Sequence, residues 1–505
     1  MHIEKLPTEI LINIFRLVSQ RNVFTALVAI PSVNQKWRYI SLYFLSDIDV
    51  RISQISNIRN KKIFLYKFLN NIKGIKNLYF DCFFDLKHEF WNLFSIKFQH
   101  LEKIDFTNYN RHNFGLNFNL HKTCPNLKTI IFSSFMWINI FDLHRFKKLK
   151  NIKIPYNTRV TFDDYKKMFS IKQFSLESLD LKDCKNLTED NLELIGKNCP
   201  NLKKIDIRGC DNCLDKNLLD KYFHNLDTYK CFCDYEDIFD ILIRKNIQKI
   251  YIEEYYYLGN IYKINNGVFP LKSLTINDSN VTDAFIDKLI KCCPCIKVLN
   301  FDNCHNITDN SLVNIINNCE KLEILKFNTC ENIIFKSTNK IVKRAENIKI
   351  ANFDFLNYVR CLSNVIGFLP NLTKLSLEYT LNAKDVYKYL TPKMKYLNIP
   401  GIFYNENQYR VLCRNCPNLI YLNNNDNIKF NQKCLNIIMN NCIYINYIFL
   451  KRIPPLDFNL IIDKIYHKNI IKWCIENKNY NPEFKFYVQK YPKFEKNVMS
   501  TWSRI

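Results

Sequence analysis

A six-residue pattern with apolar side chains in its first, fourth and sixth places recurs sixteen times between Ile75 and Ile445. Neighbouring copies begin 21 to 27 residues apart, with a mean step of about 25 residues. A nearly constant step of this length is typical of solenoids, in which each unit buries its apolar face only against its neighbours. The sequence therefore predicts a stacked array of similar units. The copies begin at Ile75, Leu101, Leu127, Leu149, Leu176, Leu202, Leu226, Ile247, Leu271, Ile296, Leu322, Ile348, Leu372, Met394, Leu419 and Ile445.

The second half of many units carries a helical pattern. In the unit that begins at Leu176, Leu187, Leu192 and Ile195 share one helical face. A threonine followed by an acid stands where such helices should begin, because the hydroxyl can cap backbone N–H groups and the acid suits the helix dipole. Each unit is predicted as a strand, a turn and an antiparallel helix. The threonine–acid pairs are Thr188-Glu189, Thr282-Asp283 and Thr308-Asp309; only strands are predicted for the units at Leu226, Ile247, Ile348 and Met394.

Half of the twenty cysteines follow the same period. Six lie three residues before a copy's first position and four lie eight residues after it. No apolar stretch of a secretory signal follows the first residues, so we expect reduced thiols and a cytoplasmic or nuclear location. A buried thiol acts as a small hydrophobe, which suits a tight turn between stacked strands. These cysteines are Cys124, Cys199, Cys293, Cys319, Cys416, Cys442, Cys184, Cys210, Cys304 and Cys330.

One unit shows the full pattern of the array. Leu202-x-x-Ile205-x-Ile207-x-x-Cys210, preceded by Cys199-Pro200-Asn201, resembles the cysteine-containing class of leucine-rich repeat. The resemblance implies an α/β fold, namely a leucine-rich-repeat solenoid shaped as a horseshoe, with a parallel sheet on its concave face.

The first 45 residues follow a different pattern, with three apolar stretches at helical spacing. The segment from Leu6-Pro7 to Phe15, followed by Val33-Asn34-x-x-Trp37-x-x-Ile40, resembles an F-box, the three-helix module of cullin-type ubiquitin ligase receptors. The resemblance implies that this module docks a Skp-family adaptor and, through it, a cullin. The alternative is that the same side chains only fill the module's own core. The adaptor-binding candidates are Leu6, Pro7, Ile10, Leu11, Ile14, Phe15 and Trp37.

The pattern divides the chain into four parts. Residues 1–45 form the F-box-like helical module, 46–74 a connecting and N-capping repeat, 75–450 the solenoid, and 451–505 a C-terminal cap that begins where Pro454-Pro455 interrupts the period. A degenerate strand at Leu45-x-x-Ile48-x-Val50 would join the module to the solenoid.

Binding residues are expected on the outward positions of the strands. If the first apolar residue is position one, then positions three, five and seven point away from the core. Exposed aromatic and basic side chains on a rigid sheet make good anchors for a protein partner, although the C-terminal segment could instead fold over the aromatic ones. The substrate-binding candidates are Lys204, Arg208, Tyr251, Tyr396, Tyr421, Tyr447 and Phe449.

The sequence offers no pattern typical of catalysis. Only eight glycines occur, without a phosphate-binding loop or a serine nucleophile motif, so neither an enzyme nor a cofactor is predicted. Cys292-Cys293-Pro294-Cys295 with Cys304-His305 is a candidate zinc site by residue type, but the repeat already explains Cys293 and Cys304, so no metal is predicted. No apolar run is long enough to span a membrane.

The formal net charge of +24 permits more than one function. A bias toward Lys, Asn, Ile, Phe and Tyr is what an AT-rich coding sequence produces, and this is our preferred explanation of the charge. The leading hypothesis is a ligase receptor, with the adaptor at one end and a protein substrate on the repeats. The alternatives are an F-box protein that sequesters the adaptor as a decoy, and a basic repeat protein that binds polyanions.

Overall fold

The structure is a computed structural model with two compact units, Met1–Phe232 and Cys233–Ile505. Each is described by itself. The described residues are 11, 49–51, 76–79, 100–107, 120–134, 143–156, 160–210, 216–231, 247–255, 267–356, 359–380, 383–445, 447–449 and 472–474.

The first unit contains consecutive strands that pair in parallel, each with the next along the chain. The register aligns position four of each repeat with position four of the next, so that Ile104 pairs with Ile130 and Leu179 with Ile205. These side chains are buried, and they form the core behind the sheet. The strands are β1 Asp49–Arg51, β2 Asn77–Tyr79, β3 Lys103–Asp105, β4 Thr129–Ile131, β5 Asn151–Lys153, β6 Ser178–Asp180, β7 Lys204–Asp206 and β8 Thr228–Cys231.

The second unit repeats this arrangement. Its strands are parallel and in register, with Leu299 beside Leu325 and Leu397 beside Leu422, all buried. The strands are β9 Lys249–Tyr255, β10 Ser273–Ser279, β11 Val298–Asp302, β12 Ile324–Asn328, β13 Ile350–Asn352, β14 Lys374–Ser376, β15 Tyr396–Asn398, β16 Tyr421–Asn423, β17 Tyr447–Phe449 and β18 Lys472–Cys474.

All sixteen predicted strands are present, each beginning at position three of its repeat. The mixed α/β architecture with parallel strands is that of a leucine-rich-repeat solenoid, as predicted. Strand β1 confirms the degenerate strand before Ile75, but in another register. Val50 pairs with Leu78 at position four, whereas the pattern from Leu45 put Val50 at position six. The register therefore differs from the predicted one by two residues.

Strand β18 lies beyond the double proline, inside the range 451–505 that the sequence assigns to a cap. Trp473 pairs in register with Ile448, so the sheet continues for one more strand. Pro454-Pro455 interrupts the apolar pattern without ending the sheet.

Helices and shorter 3₁₀ turns follow the strands. The described helices are α1 Leu120–Thr123, α2 Phe162–Met168, α3 Glu189–Asn198, α4 Lys216–Tyr222, α5 Asp283–Cys292, α6 Asp309–Asn318, α7 Leu362–Gly367, α8 Glu406–Asn415 and α9 Gln432–Asn441, and the 3₁₀ turns are Leu143–Arg145, Thr338–Lys340 and Val386–Lys388.

Thr188 and Thr308 cap α3 and α6 as expected, by accepting from the backbone N–H groups of Asn191 and Asn310. Thr282 stands at the N-cap of α5 without a capping hydrogen bond from its side chain, which differs from the prediction. Two of the repeats for which only strands were predicted also differ. The repeat at Ile348 carries the six-residue helix α7 and the repeat at Met394 carries the ten-residue helix α8, although both lack the threonine–acid pair. Asn405 replaces the threonine before α8 and forms a reciprocal capping box with Gln408.

The ten cysteines in phase with the repeat are all buried. Five of the six before the strands cap the C-termini of helices, as Cys199 does for α3. Those after the strands donate to backbone carbonyls of the preceding repeat; the Sγ of Cys184 lies 3.0 Å from the carbonyl oxygen of Ile154. The thiols therefore fill the turn positions that the sequence assigned to them.

Asparagine side chains connect successive repeats at the residue just before position one. The Nδ2 of Asn201 donates to the carbonyl oxygen of Phe174 at 2.8 Å, and that of Asn371 donates to the carbonyl of Glu346 at 2.6 Å. Each bond satisfies a backbone carbonyl of the repeat before it. The same bridge is made by Asn225, Asn347 and Asn418.

Position eight, where the chain leaves the strand, has a left-handed backbone in ten repeats, with φ between 49° and 77°. This conformation lets its N–H group continue the ladder along the sheet. The N–H of Asn303, for example, donates to the carbonyl of Asn328 at 2.9 Å. The ten residues are Tyr156, Asp183, Gly209, Asp278, Asn303, Thr329, Phe355, Tyr379, Gly401 and Asp426.

Candidate protein-binding surface

The outer sheet face consists of the side chains at positions three, five and seven, which point away from the buried residues at positions four and six. In the second unit the aromatic candidates pack on this face. The ring centroids of Tyr396 and Tyr421 are 6.3 Å apart, and those of Tyr421 and Phe449 are 5.2 Å apart. Tyr421 and Phe449 are 6% and 7% exposed, whereas Tyr396 and Tyr447 are half-buried around them. Tyr421 and Phe449 are thus packed side chains and not the exposed anchors that the sequence suggested.

The two basic candidates of the first unit differ in their exposure and ion pairing. Lys204 is exposed on β7. Arg208 is turned onto Asp206, with Nε 2.9 Å from Oδ1 and an Nη 2.8 Å from Oδ2. Lys230 joins the same carboxylate at 3.3 Å. Burial raises the pKa of Asp206, but the hydrogen bonds and charge of Arg208 outweigh it and hold that pKa below its ordinary value.

Tyr251 lies on β9, near the start of the second unit's sheet. It is half-buried, and its hydroxyl accepts a hydrogen bond from the Nδ2 of Asn277 at 2.8 Å.

A chain of hydrogen bonds crosses the outer sheet face between four successive repeats. Asn423 donates to Asn398 at 2.7 Å, Asn398 to the Oγ of Ser376 at 2.8 Å, and Ser376 to Asp354 at 2.6 Å. The backbone N–H of Glu378 donates to the same carboxylate oxygen of Asp354 at 2.6 Å. Burial raises the pKa of Asp354 to about 6.

A lysine and two acids occupy the centre of this face in the second unit. Burial lowers the pKa of Lys326, while the charges of Asp354 and Asp302 act in the opposite direction. Burial also raises the pKa of Asp302, and the nearby Asp278 adds to that effect. The centre therefore holds charges of both signs, partly removed from water.

The edge where the strands end presents exposed aromatic rings in the second unit. Phe355 and Tyr379 occupy position eight of neighbouring repeats, with ring centroids 5.6 Å apart and exposed fractions of 47% and 46%. The Tyr379 hydroxyl donates to the Oδ2 of Asp426, two repeats further on, at 3.1 Å. The ring passes beside Gly401, where an added Cβ would lie 3.5 Å from its Cδ1 atom. We call Phe355 and Tyr379 the aromatic shelf.

The opposite edge, where the strands begin, contains a cavity of about 660 Å³ in the first unit. Its lining includes Lys150, Lys203 and Glu177. The Glu177 carboxylate accepts from Lys150 at 2.5 Å and from Lys203 at 3.1 Å, and these hydrogen bonds hold its pKa below the ordinary value. Charge pairs of this kind align position two of successive repeats.

Most of the adaptor-docking candidates lie outside the described residues, namely Leu6, Pro7, Ile10, Ile14, Phe15 and Trp37. Leu11 is described: it is helical and fully buried.

Sequence reasoning missed the aromatic shelf because it followed the strand positions and stopped at position seven. The signal was present in the composition of position eight, where Asp, Asn and Gly prevail. Three aromatic residues depart from that preference, namely Tyr156 and, in successive repeats, Phe355 and Tyr379.

Neither a metal-binding cluster nor a membrane-spanning helix occurs within the described ranges. No group of three His, Cys, Asp or Glu residues there could hold a metal ion. No helix there is long and apolar enough to cross a bilayer. Of the cysteines weighed as zinc ligands, Cys293 caps α5, and the Sγ of Cys304 lies 3.6 Å from the carbonyl of Ile276.

No family model and no curated protein matches the chain. Among solved structures, it is similar to the complex of Rad7 and Elc1 in yeast, at 19% identity over 62% of this chain and 79% of that one, with a TM-score of 0.42. The TLR13–ssRNA13 complex is similar at 13% identity over 77% and 61%, with a TM-score of 0.43. An internalin from Listeria monocytogenes is similar at 11% identity over 92% and 98%, with a TM-score of 0.32.

Proposed function

We propose that this chain is the substrate-recognition subunit of an SCF-type (Skp–cullin–F-box) ubiquitin ligase. Residues 1–45 dock a Skp-family adaptor, and through it a cullin, while the repeats bind a protein substrate. The observation that carries the proposal is the F-box-like pattern around Leu6-Pro7 and Trp37, placed directly before a leucine-rich-repeat array. In this role the chain contributes proximity and the partner enzymes perform the chemistry.

Leu11 has a supporting part in the proposed docking surface. Because its side chain is fully buried, we propose that it stabilises the module and leaves contact with the adaptor to the other candidates. Of these, Leu6, Pro7 and Trp37 are the most diagnostic of the F-box pattern.

A role without catalysis agrees with the state of the thiols. Burial raises the pKa of Cys199 to about 12, and it raises the pKa of Cys319 similarly. Thiols with such pKa values stay protonated at neutral pH and are poor nucleophiles. We propose that the ligase chemistry takes place on other subunits.

Ion pairing on the outer sheet face argues against polyanion binding as the main function. Arg208 and Lys230 share the carboxylate of Asp206, and Lys153 lies 3.6 Å from Asp180. Phosphate groups would have to compete with these carboxylates for the same cations. A protein partner with charges of both signs suits this face better.

Capture by a purified Skp-family adaptor tests the proposal. The double substitution Leu6→Ala and Pro7→Ala is expected to reduce adaptor capture by the full chain at least tenfold, because it removes the side chains at the proposed contact. The matched control, Lys5→Ala with Thr8→Ala, changes the flanking residues and should leave capture unchanged. Undiminished capture by the first variant would contradict the proposed docking surface. Ubiquitination of a protein crosslinked to the repeats then separates a receptor from a decoy.

A further inference from the structure

The aromatic shelf brings two exposed rings with left-handed backbones side by side in successive repeats, whereas Tyr156, the other exposed aromatic residue at position eight, has no such neighbour at that position among the described residues. Phe355 and Tyr379 have left-handed backbones, with φ of 57° and 49°, and both leave almost half of their surface in water. Bulky residues are rare in this conformation, since it brings Cβ close to the backbone carbonyl. Residues kept in unfavourable conformations cluster at sites of binding. The rings are thus candidates for contact with another molecule.

The other repeats show that an aromatic residue is not required at this position. Asp183, Asp278, Asn303 and Asp426 adopt the same left-handed backbone with short polar side chains. Such side chains tolerate this conformation well. The turn would therefore form equally well with asparagine at 355 and 379.

The ring of Tyr379 is held in place by groups on three repeats. Phe355 packs against it from the preceding repeat, and Asp426 accepts its hydroxyl hydrogen bond from two repeats further on. The repeat between Tyr379 and Asp426 carries Gly401 at position eight. Because glycine has no side chain, the Tyr379 ring can lie directly beside it. A fixed ring loses little conformational freedom when it binds a partner.

The surroundings of the shelf are acidic, although the whole chain is basic. Positions seven to ten of the repeats that begin at Ile348, Leu372, Met394 and Leu419 include the half-buried Glu378 and Asp426 and the buried Asp354 but neither lysine nor arginine. The formal charge of the chain is +24, so this edge differs in sign from the whole. Further apolar surface comes from Phe403 and Ile428, both at position ten, which are 38% and 65% exposed.

We propose that this edge docks a protein segment in which an apolar or aromatic side chain stands beside lysine or arginine. The apolar side chain packs on the rings of Phe355 and Tyr379, and the cation lies near the carboxylates of Glu378 and Asp426. A guanidinium group can also stack on the tyrosine ring. The inference rests on the proposed role of the repeats in binding a protein, and it specifies the chemistry of that partner.

Two fluorescein-labelled peptides of equal length test the inference on the full chain. In one, arginines flank a central tryptophan; in the other, glutamates flank it. We expect the arginine peptide to bind at least tenfold more tightly in fluorescence polarisation, the opposite of what the net charge of the chain favours. Equal binding, preference for the glutamate peptide, or no binding of either would overturn the inference.

Substitutions locate the binding on the molecule. Phe355→Asn with Tyr379→Asn should weaken arginine-peptide binding at least tenfold while the melting temperature stays equal or rises, because asparagine suits the backbone. The matched control Tyr156→Asn makes the same change at a 53% exposed left-handed tyrosine of the first unit, and it should bind normally. Equal weakening by the control would overturn the inference. Glu378→Gln with Asp426→Asn should reduce the preference for arginine over glutamate, and an unchanged preference would also count against it.

Adaptor capture by the same preparations separates this inference from the proposed function. If the arginine peptide does not bind as expected while the adaptor still captures the chain, only the inferred chemistry of the protein partner is wrong. If the arginine peptide binds as expected while the adaptor does not, the ligase role falls and the docking edge remains.

Discussion

Asp354 is a buried carboxyl group at the end of the hydrogen-bond chain on the outer sheet face. It accepts from the hydroxyl of Ser376 and from the backbone N–H of Glu378. These bonds favour its charged form, but burial acts more strongly and raises its pKa to about 6. The native state therefore holds a proton that the unfolded chain releases at a lower pH.

Asp354→Asn should change how stability depends on pH. Below about pH 4 both folded proteins carry a neutral group at this position, and their difference in free energy of unfolding should be constant. Between about pH 4 and pH 6 the carboxyl is charged in the unfolded chain but still protonated in the native state, so the wild type should lose roughly 3 kcal/mol of stability relative to the variant, and the difference should level off above about pH 6. Asparagine keeps an oxygen that can accept from Ser376 and Glu378. Urea unfolding between pH 4 and pH 8 measures this difference, and parallel stability curves would contradict it.

The left-handed backbone of position eight could not be predicted from the apolar pattern. The period of apolar residues places every strand, because burial at positions four and six is required in each repeat. The conformation of position eight follows from the backbone ladder, for which the sequence gives only an indirect sign in Asp, Asn and Gly. Phe355 and Tyr379 depart from that composition, so their left-handed backbone is recognised only by comparison with position eight of the other repeats.

At the scale of elements, acidic side chains at the start of the helices connect one repeat to the next. Asp309, in the first turn of α6, accepts from four successive backbone N–H groups of the following repeat, at 2.6 to 3.1 Å. Asp283 accepts from the backbone N–H and hydroxyl of Thr308 and from the hydroxyl of Ser311. The sequence assigned these acids to the dipole of their own helix. Their contacts with the following repeat depend on stacking, which a local pattern does not encode.

Gly196→Ala should destabilise the contact between α3 and α4. An added Cβ would lie 2.5 Å from the Cβ of Tyr222, an atom fixed to the backbone of α4. Alanine favours the helix by about 1 kcal/mol over glycine, but overpacking against α4 should cost more. The free energy of unfolding should therefore fall by about 1–2 kcal/mol. Thermal or urea unfolding measures the loss.

Gly367→Ala, at the end of α7, is the matched control. Its Cβ would meet the ring of Tyr389 at 3.1 Å, and this ring is 42% exposed and can move aside. Its stability should change by less than about 0.5 kcal/mol. Equal losses in the two variants would show that helical glycine itself, and not the close approach of α4, sets the cost.

At the scale of the whole molecule, the chain consists of two compact units, in which strands pair with their neighbours in sequence. The period predicted this order of strands well. The helical halves were harder to predict because helix, 3₁₀ turn and capping residue vary from repeat to repeat while the strand is preserved. The F-box-like residues, apart from Leu11, lie outside the described ranges, and their docking role remains a prediction.

Equivalent core substitutions in the two units should act locally. Leu179→Ala and Leu325→Ala each remove a buried side chain at position four, at an expected cost of about 3 kcal/mol. Because stability in a repeat array depends on nearest neighbours, each should reduce amide protection mainly in its own unit. Hydrogen exchange with mass spectrometry resolves the two, and each variant serves as the other's control. A uniform loss of protection across both units would contradict the expectation.

The asparagine bridges between repeats bear on how such an array can lengthen. Asn201, Asn225, Asn347, Asn371 and Asn418 each bind a main-chain carbonyl, which every amino acid offers. Copying a segment of the gene that encodes one repeat would therefore copy its means of attachment, whatever residue precedes it. An ancestor with fewer repeats could have lengthened by duplication without needing a new contact between repeats each time.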